Sequence, residues 1–449
     1  MKRTVYPTPT KSEAMVLFVL GSLLLLCTAT ISVPLQSLRA NTTSQYLYDT
    51  ASHREVRKST GHVFKESIPL LSTRDDVFRH SRMSSDYLHD VVFVIQQKNM
   101  DKLTDILHDV SDPSSINYGK HMTREGVAEM TSNPVARDAV LTYLHKNGAS
   151  IISETLSGEY ITSSAPIGIW ENIFNCEFFL FHFTQHDGEV AKVVRSESYS
   201  IPIALAAHVE SVFNTVQMPH QPMDGFRINL GQTKSTEHLE GVENYITPAI
   251  LRAAYNVGSK QGTALSTQCA YATIEQYYSP RDLSKFQSFF QLAQQPVANN
   301  IGGHSSDGVC SATPSSCAEA NLDVQYLMAM SPVSPTTFWY SDYNSGFSGW
   351  LVSIATMVAP PMVFSISYGI EETRITDSEF DAFETQAVKL GVMGVTLVAA
   401  SGDDGAISRR ARITPSTCFY APNFPASSPY VTAVGATSVS ASVHQVACI

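Results

Sequence analysis

From Tyr271 to Ala400 the chain alternates short apolar runs with stretches of helical periodicity, and that alternation leaves few folds open. Tyr271 to Glu275, Thr336 to Tyr340, Met362 to Tyr368 and Val395 to Ala400 read as strands, while Asp282 to Leu292, Ala318 to Met330 and Ser378 to Leu390 read as helices. A strand that is apolar on both faces must be covered on both, and helices between successive strands supply the cover. The pattern therefore implies a parallel sheet in an α/β fold. In such sheets ligands gather outside the carboxyl ends of the strands. The last apolar run ends at that position in Ser401-Gly402-Asp403.

Upstream the pattern changes. Val91 to Gln97 reads as a strand and Met100 to Val110 as a helix that Pro113 ends. Short helices are expected at 125–130, 136–146 and 167–174, with strand-like segments at 150–155, 159–163 and 177–184. This is the composition of a separate α+β domain closing near Pro219. Before it, residues 34–85 are polar and lack sustained periodicity, so they are expected to form a flexible lead-in. After it, residues 221–245 carry Pro222, Gly225 and Gly231 with no apolar period and read as an exposed linker open to proteolysis. The 449 residues thus divide into a segment at 1–33, the lead-in at 34–85, a domain at 86–220, the linker at 221–245 and a second domain at 246–449.

Lys2, Arg3 and Lys11 precede the apolar run Met15 to Cys27, whose length suits the core of a signal peptide. Cleavage after the small residues Thr28 to Thr30 would release the chain; continuation of the run through Val33 would retain it as a signal anchor. Either way the chain is expected in the secretory pathway, with a lysosomal, vacuolar or extracellular destination, and Asn41 in Asn41-Thr42-Thr43 becomes a glycosylation acceptor. The 41 acids against 30 bases give a net charge of −11, which argues against nucleic-acid and anionic-membrane partners. An oxidising route permits disulfides, and the preferred pairs are Cys310 with Cys317 and Cys418 with Cys448, each bracketing an irregular segment. No cysteine spacing resembles a zinc site.

Glu319 and Asp323 lie four residues apart on the helix expected at 318–330, so their carboxylates stack on one face. On a solvated face such a pair does nothing chemical. Desolvated, the two repel, one holds its proton, and the pair can exchange protons with a nucleophile. The string LVAASGDDGA, Leu397 to Ala406, sets Asp403 just past a buried strand at a Gly-flanked turn, where backbone can approach a ligand closely; Asp404 is the ordinary turn residue beside it.

Taken together, EANLD at 319–323, SISYG at 365–369, LVAASGDDGA and FPASSPYVTAVGAT at 424–437 resemble the sedolisin family of serine-carboxyl peptidases. DPSSINYGKHMT at 112–123 and YSIPIALAAHVESVF at 199–213 resemble the family's inhibitory prodomain, and ITPAILRAAYNV at 246–257 the start of its mature enzyme. The resemblance spans roughly Val91 to Cys448. It implies an incomplete subtilisin-like doubly wound parallel sheet preceded by an α+β ferredoxin-like prodomain. It also implies that Glu319 is the general base, that Asp323 orients it, and that Asp403 lines the oxyanion hole. A carboxylic acid can donate to an oxyanion only while protonated, so an acidic pH optimum follows. Polypeptides are the implied substrate, and the chain's own prodomain the implied intramolecular inhibitor. The family's Ca2+ is implied as well, but near a C-terminus this sequence does not contain, so no residue is assigned to it.

One part of the pattern is missing. The family's nucleophile sits in a Gly-Thr-Ser-Ala-Ser type motif, and no Gly-Thr-Ser occurs here before the chain stops at Ile449. Ser438 belongs to the strand preceding that motif, and Ser365, Ser367 and Ser401 read as structural strand and turn residues. Removing the nucleophile from a serine protease costs about 10⁶ in kcat, so the chain as it stands is expected to be a peptidase precursor that is nearly inert. Truncation of the sheet would also expose apolar faces. The alternative is a non-enzymatic prodomain carrier, in which residues 86–220 inhibit or chaperone a full-length relative.

Overall fold

The structure is a computed structural model and describes residues 61–68, 77–184, 190–219, 246–342, 346–407 and 418–436. The segment at 1–33, Asn41, the linker at 221–245, Ser438 and Cys448 lie outside the described residues. Residues 57–449 form one compact unit.

The N-terminal part is built of strands β1 (His62–Ser67), β2 (Val77–Arg82) and β3 (Leu88–Ile95), helices α1 (Met100–Ser111), α2 (Arg124–Thr131) and α3 (Pro134–Lys146), strands β4 (Ser150–Glu154) and β5 (Tyr160–Pro166), helix α4 (Ile167–Phe174), and strands β6 (Phe178–Thr184), β7 (Val190–Ser196), β8 (Ser198–Pro202) and β9 (Val209–Phe213). Local chemistry sets the helix starts: the Thr123 side chain accepts from Gly126 N at α2, and Asn133 accepts from Ala136 N at α3, with Pro134 in the first helical turn. The strands form antiparallel sheets in the orders β4-β5-β3-β9, β2-β6-β7 and β1-β8.

The second part holds α5 (Pro248–Ala254), β10 (Gln268–Ala272), α6 (Pro280–Phe289), β11 (Asn299–Ile301), α7 (Asp307–Ala312), α8 (Ala318–Met330), β12 (Thr336–Tyr340), α9 (Gly346–Thr356), β13 (Val363–Ile366), β14 (Ile370–Glu371), α10 (Asp377–Val392), β15 (Thr396–Ala400), β16 (Asn423–Phe424) and β17 (Thr432–Val434). Six strands make one parallel sheet in the order β11-β12-β10-β13-β15-β17, and β14 pairs β16 apart from it. The expected parallel α/β sheet is thus present. Successive side chains of a strand point to opposite faces, and both faces are covered. Ala270, Ala272, Phe338 and Tyr340 pack with Leu283 of α6 and with Ala320, Val324 and Met328 of α8. Cys269, Tyr271, Trp339, Phe364 and Leu397 pack with Trp350 and Leu351 of α9 and with Phe383 and Leu390 of α10. From β10 the chain runs one way to β11 and β12, then returns to place β13 on the other side of β10. The gap between β10 and β13 is therefore the point where strand order reverses, the usual binding crevice of such sheets.

One strand binds the two parts together. Residues Val91 to Ile95 of β3 are buried throughout. Val91, Phe93 and Ile95 face the N-terminal core, with Leu144 and Trp170, whereas Val92 and Val94 join Phe213 and Tyr160 in the core that holds α9 and α10. Helix α10 is gripped along its length. Glu66 of β1 accepts from Ser378 N at 2.9 Å and from Ser378 Oγ at 2.7 Å, beside its N-terminus. Nearer its C-terminus the Lys389 ammonium lies 3.3 Å from the Glu159 carboxylate and donates to Gln97 Oε1 at 3.0 Å, with both ionic side chains only 5 % exposed. Burial works against the charge on Glu159, but Lys389, helped by Ser157 and Gln386, outweighs it and holds the carboxyl below its ordinary value. Leu103 and Val127 close the contact against Val388 and Val392.

Two differences from the sequence reading are instructive. Strands β1 and β2 occupy part of the segment expected to be a flexible lead-in, and β7, β8 and β9 were not foreseen at all. β2 (VFRHSR) buries only Val77 and β1 (HVFKES) is partly buried at best, so neither carries the apolar alternation by which a strand is read; tertiary pairing with β6 and β8 makes them strands.

Breaking the buried pair from one side tests this account. Lys389→Met leaves the Glu159 charge enclosed and is expected to cost about 3–5 kcal/mol in urea denaturation, with Glu159→Gln in the same chain recovering most of the loss. A loss under about 1 kcal/mol would mean that water reaches the pair.

Candidate active site

Helix α8 carries two of the acids, and its first turn is fixed from outside. Cys310 and Cys317 are joined by a disulfide just ahead of it. The loop after β10 supplies the rest: the Gln276 side chain accepts from Glu319 N at 3.3 Å, Tyr277 N donates to Ser316 O at 2.9 Å, and Ser279 N donates to Asn321 Oδ1 at 2.8 Å. No side chain caps α8 by itself, so these contacts satisfy donors and acceptors that a helix end would leave open. With Ala320, Val324 and Met328 committed to the sheet, Glu319 and Asp323 sit one position round the helix, beside that buried stripe.

Asp323 Oδ1 accepts from Ser367 Oγ at 2.8 Å, and Ser367 is the residue that follows β13. Its Oδ2 is buried with no hydrogen-bond partner, although the residue as a whole is only half-buried. An enclosed, half-satisfied carboxylate resists ionisation. Burial, then the charge of Glu319, pushes Asp323 well above the ordinary carboxylic range, against the Ser367 hydrogen bond. Glu319 is pushed up to about 7, by burial first and by Asp403 second. Tyr368 completes the enclosure: its phenol is raised well above its usual value by burial, then by Asp323 and Glu319.

Asp403 approaches from the turn after β15. Gly402 there has φ of +94°, and a Cβ on it would overlap the Asn423 amide. That amide donates to Ser401 O at 3.2 Å, and Ser401 N donates to Val434 O at 3.0 Å. Glycine is therefore required for a turn this tight, and Asp403 is left exposed beside it, close enough to act on Glu319. Asp404 is half-buried. The structure thus brings together Glu319, Asp323 and Asp403 from α8 and the β15 turn, at the carboxyl edge of the sheet where β10 and β13 part.

Ser365 lies within β13, in register with Ala270 and Val398, and Ser401 is a turn residue. Ser367, read as a structural strand residue, instead holds an acid. Gln276 and Tyr368 were not singled out; the motif SISYG contains Tyr368, but nothing in the spacing of residues says that a phenol will lie over an acid pair. Cys418 is disulfide-bonded, while Cys448, its expected partner, lies outside the described residues. Cys176 and Cys269 are free. Among the described residues no group of three or more His, Cys, Asp or Glu side chains is placed to hold a metal ion, and no helix is long and apolar enough to cross a membrane.

Residues 76–218 match the family described as Pro-kumamolisin, activation domain. The chain is 31% identical over 368 residues to tripeptidyl-peptidase 1 of Homo sapiens, covering 78% of this chain and 61% of that protein, and 32% identical over 372 residues to tripeptidyl-peptidase 1 of Mus musculus, with the same coverage. It therefore spans less than two thirds of the length of these curated relatives. A Pseudomonas sedolisin, a serine-carboxyl proteinase solved in complex with two molecules of pseudo-iodotyrostatin, overlaps 42% of this chain and 52% of its own with 23% identity and a TM-score of 0.32, a likeness too slight to carry weight. An activation-domain match thus lies ahead of a parallel α/β sheet that carries an acid cluster at its carboxyl edge. The chain is similar to members of the sedolisin family.

The raised carboxyl of Glu319 has a thermodynamic signature. Its folded-state value near 7 lies above the ordinary 4.5, so the stability it contributes is fully present below about pH 4.5 and is lost as the pH rises through about 7. Glu319→Gln is expected to raise the neutral-pH stability by about 1–2 kcal/mol after allowance for solvent screening, and to change little at pH 4. Thermal melts at the two pH values check this, and equal effects at both would contradict it.

Proposed function

We propose that the chain is the precursor of a serine-carboxyl peptidase that hydrolyses peptide bonds at acidic pH. Glu319 is the general base, Asp323 orients it and shares its proton, and Asp403 donates to the oxyanion. The observation that carries this reading is the enclosure of Glu319 and Asp323 on one helix face with Asp403 acting on Glu319 from another element. Two acids in a dry site cannot both ionise, so the pair holds a proton to higher pH than either would alone, and it can exchange that proton with a hydroxyl as the reaction proceeds. Asp403, exposed beside the pair, can donate to an oxyanion only in its protonated form.

The sheet is taken as the subtilisin-like doubly wound core. The antiparallel order β9-β3-β5-β4, with α3 and α4 packed on one face, supports a ferredoxin-like prodomain. That domain, at 86–220, acts as the intramolecular inhibitor, and the grip of its Glu159 on Lys389 of α10 supports the role. Cleavage in 221–245 would release it. The apolar N-terminal run directs the chain to the secretory pathway and a lysosomal, vacuolar or extracellular site. The name tripeptidyl-peptidase carried by the curated relatives supports release of tripeptides as the form that hydrolysis takes.

The sequence contains no Gly-Thr-Ser, so the groups assigned here are those that activate a nucleophile. The test therefore uses the protein purified from its native source, whatever its full extent. It should hydrolyse peptides near pH 4, Glu319→Gln should lower kcat by at least about 10³-fold, and Asp403→Asn should retain appreciable activity while the acid dependence of kcat moves. Native protein without peptide hydrolysis between pH 3 and 7, or a Glu319→Gln variant that keeps full activity, would contradict the reading.

A further inference from the structure

The loop that braces Glu319 also presents a second acid. Ile274 and Glu275 follow β10 with φ of +59° and +51°, two consecutive residues in the left-handed region, one of them β-branched. Such backbone costs about 1 kcal/mol or more per residue and persists only where its surroundings impose it. Here the surroundings are specific. Tyr340, the last residue of β12, donates its O–H to Glu275 Oε1 at 2.9 Å and accepts from Glu275 N at 3.4 Å. His304, just past β11, has Nε2 3.5 Å from Glu275 Oε2. Its ring stacks on Tyr340 with centroids 3.3 Å apart and leans on Tyr277 at 4.3 Å. Its Nδ1 lies 2.8 Å from Gly302 O and so carries the hydrogen toward that carbonyl, which means Nε2 donates to Glu275 only when the ring is protonated. Gly302, at φ of +83°, lies so close to Tyr340 that a Cβ would overlap its backbone oxygen.

Three strand ends thus aim one carboxylate, yet they do not bury it: the Glu275 side chain is 63% exposed and that of His304 17%. A carboxylate accepts about four hydrogen bonds, and the wall uses two at most. This one is held rigid with free acceptor positions toward solvent, at the carboxyl edge of the sheet. It is one residue away from Gln276, which touches the backbone of Glu319.

We propose that Glu275 is a subsite for a primary ammonium group on the peptide substrate, with Tyr340 and His304 as its positioning residues. The inference rests on the peptidase reading above and deepens it. An acid next in the chain to Gln276, which contacts the backbone of the base, would hold a cation on the same edge of the sheet as the base and so would favour a peptide with a free N-terminus. A lysine side chain carries the same chemistry, and the test separates the two.

Binding to the native protein, freed of its N-terminal domain by cleavage in 221–245, is measured by calorimetry near pH 5 with three probes: trialanine amide, its N-acetyl form, and N-acetyl-lysine amide. Trialanine amide should bind about fivefold more tightly than the N-acetyl form, the size of a partly exposed charge pair. That preference should vanish in Glu275→Gln and at about 1 M salt. Preference for N-acetyl-lysine amide that depends equally on Glu275 would place a lysine side chain in the subsite instead of an N-terminus, with the ammonium assignment intact. Should Glu275→Gln fold poorly by circular dichroism, Tyr340→Phe removes the donor that aims the carboxylate and should cut the preference as well. Free and acetylated peptides that bind equally well, or a preference that survives both variants, would overturn the subsite and leave the peptidase reading standing. No binding of any probe would count against both.

Discussion

Two carboxyl groups held on one helix face with little water between them are unstable as two charges, and much of the second half of the molecule is arranged around that fact. Coulomb repulsion grows as the surroundings dry out, so a proton stays with the pair at pH values where an exposed acid would have lost it. For the pair to exist at all, α8 must be anchored more firmly than the repulsion can disturb. Ala320, Val324 and Met328 commit it to the sheet, the Cys310–Cys317 disulfide closes the approach to its first turn, and the β10 loop pins its backbone through Gln276 and Tyr277. Ser367 then supplies one hydrogen bond to Asp323 and leaves the other oxygen unsatisfied. Burial favours the protonated form while the Ser367 hydrogen bond keeps the carboxylate accessible, as a group that must give and take a proton requires.

The rest of the fold keeps the site dry and fixed. β13 and β15 end where Ser367 and Asp403 are needed, because parallel strands deliver all their carboxyl ends to one edge. On the far side of the sheet, α9 and α10 would present an apolar face to water if nothing covered them. β3, β5 and β9 of the N-terminal part cover it, and β3 is buried on both sides as a result. The buried Glu159–Lys389 pair adds little net stability by itself, since desolvating two charges offsets most of their attraction. Its effect is selective: a displaced register would leave a bare charge in the core.

Much of this was legible in the sequence, for physical reasons that can be named. The helix at 318–330 and the strand at 336–340 were read with the boundaries the structure gives, since their apolar positions follow burial directly. The parallel sheet followed from strands apolar on both faces. Glu319 and Asp323 could be placed on one helix face from spacing alone, and Gly402 marked the turn that positions Asp403. What could not be read depends on contacts between distant segments. β1 and β2 are too polar to announce themselves and become strands only by pairing with β8 and β6. Ser367 lies 44 residues from the acid it holds, and the Glu275, His304 and Tyr340 cluster joins three loops and strand ends spread over 65 residues. Residue pattern reports which face of an element is buried, and it is silent on which side chain from another element arrives there.

The central claim is that burial and Asp403 together hold the Glu319 carboxyl protonated up to near neutral pH. It is tested most directly by following the carboxyl signal of Glu319 through a pH titration, with isotope-labelled glutamate and Glu319→Gln as the assignment control. The account predicts a midpoint near 7, falling in Asp403→Asn but staying above the ordinary carboxylic range because burial is the larger cause. A midpoint at the ordinary value near 4.5, unmoved by Asp403→Asn, would contradict it.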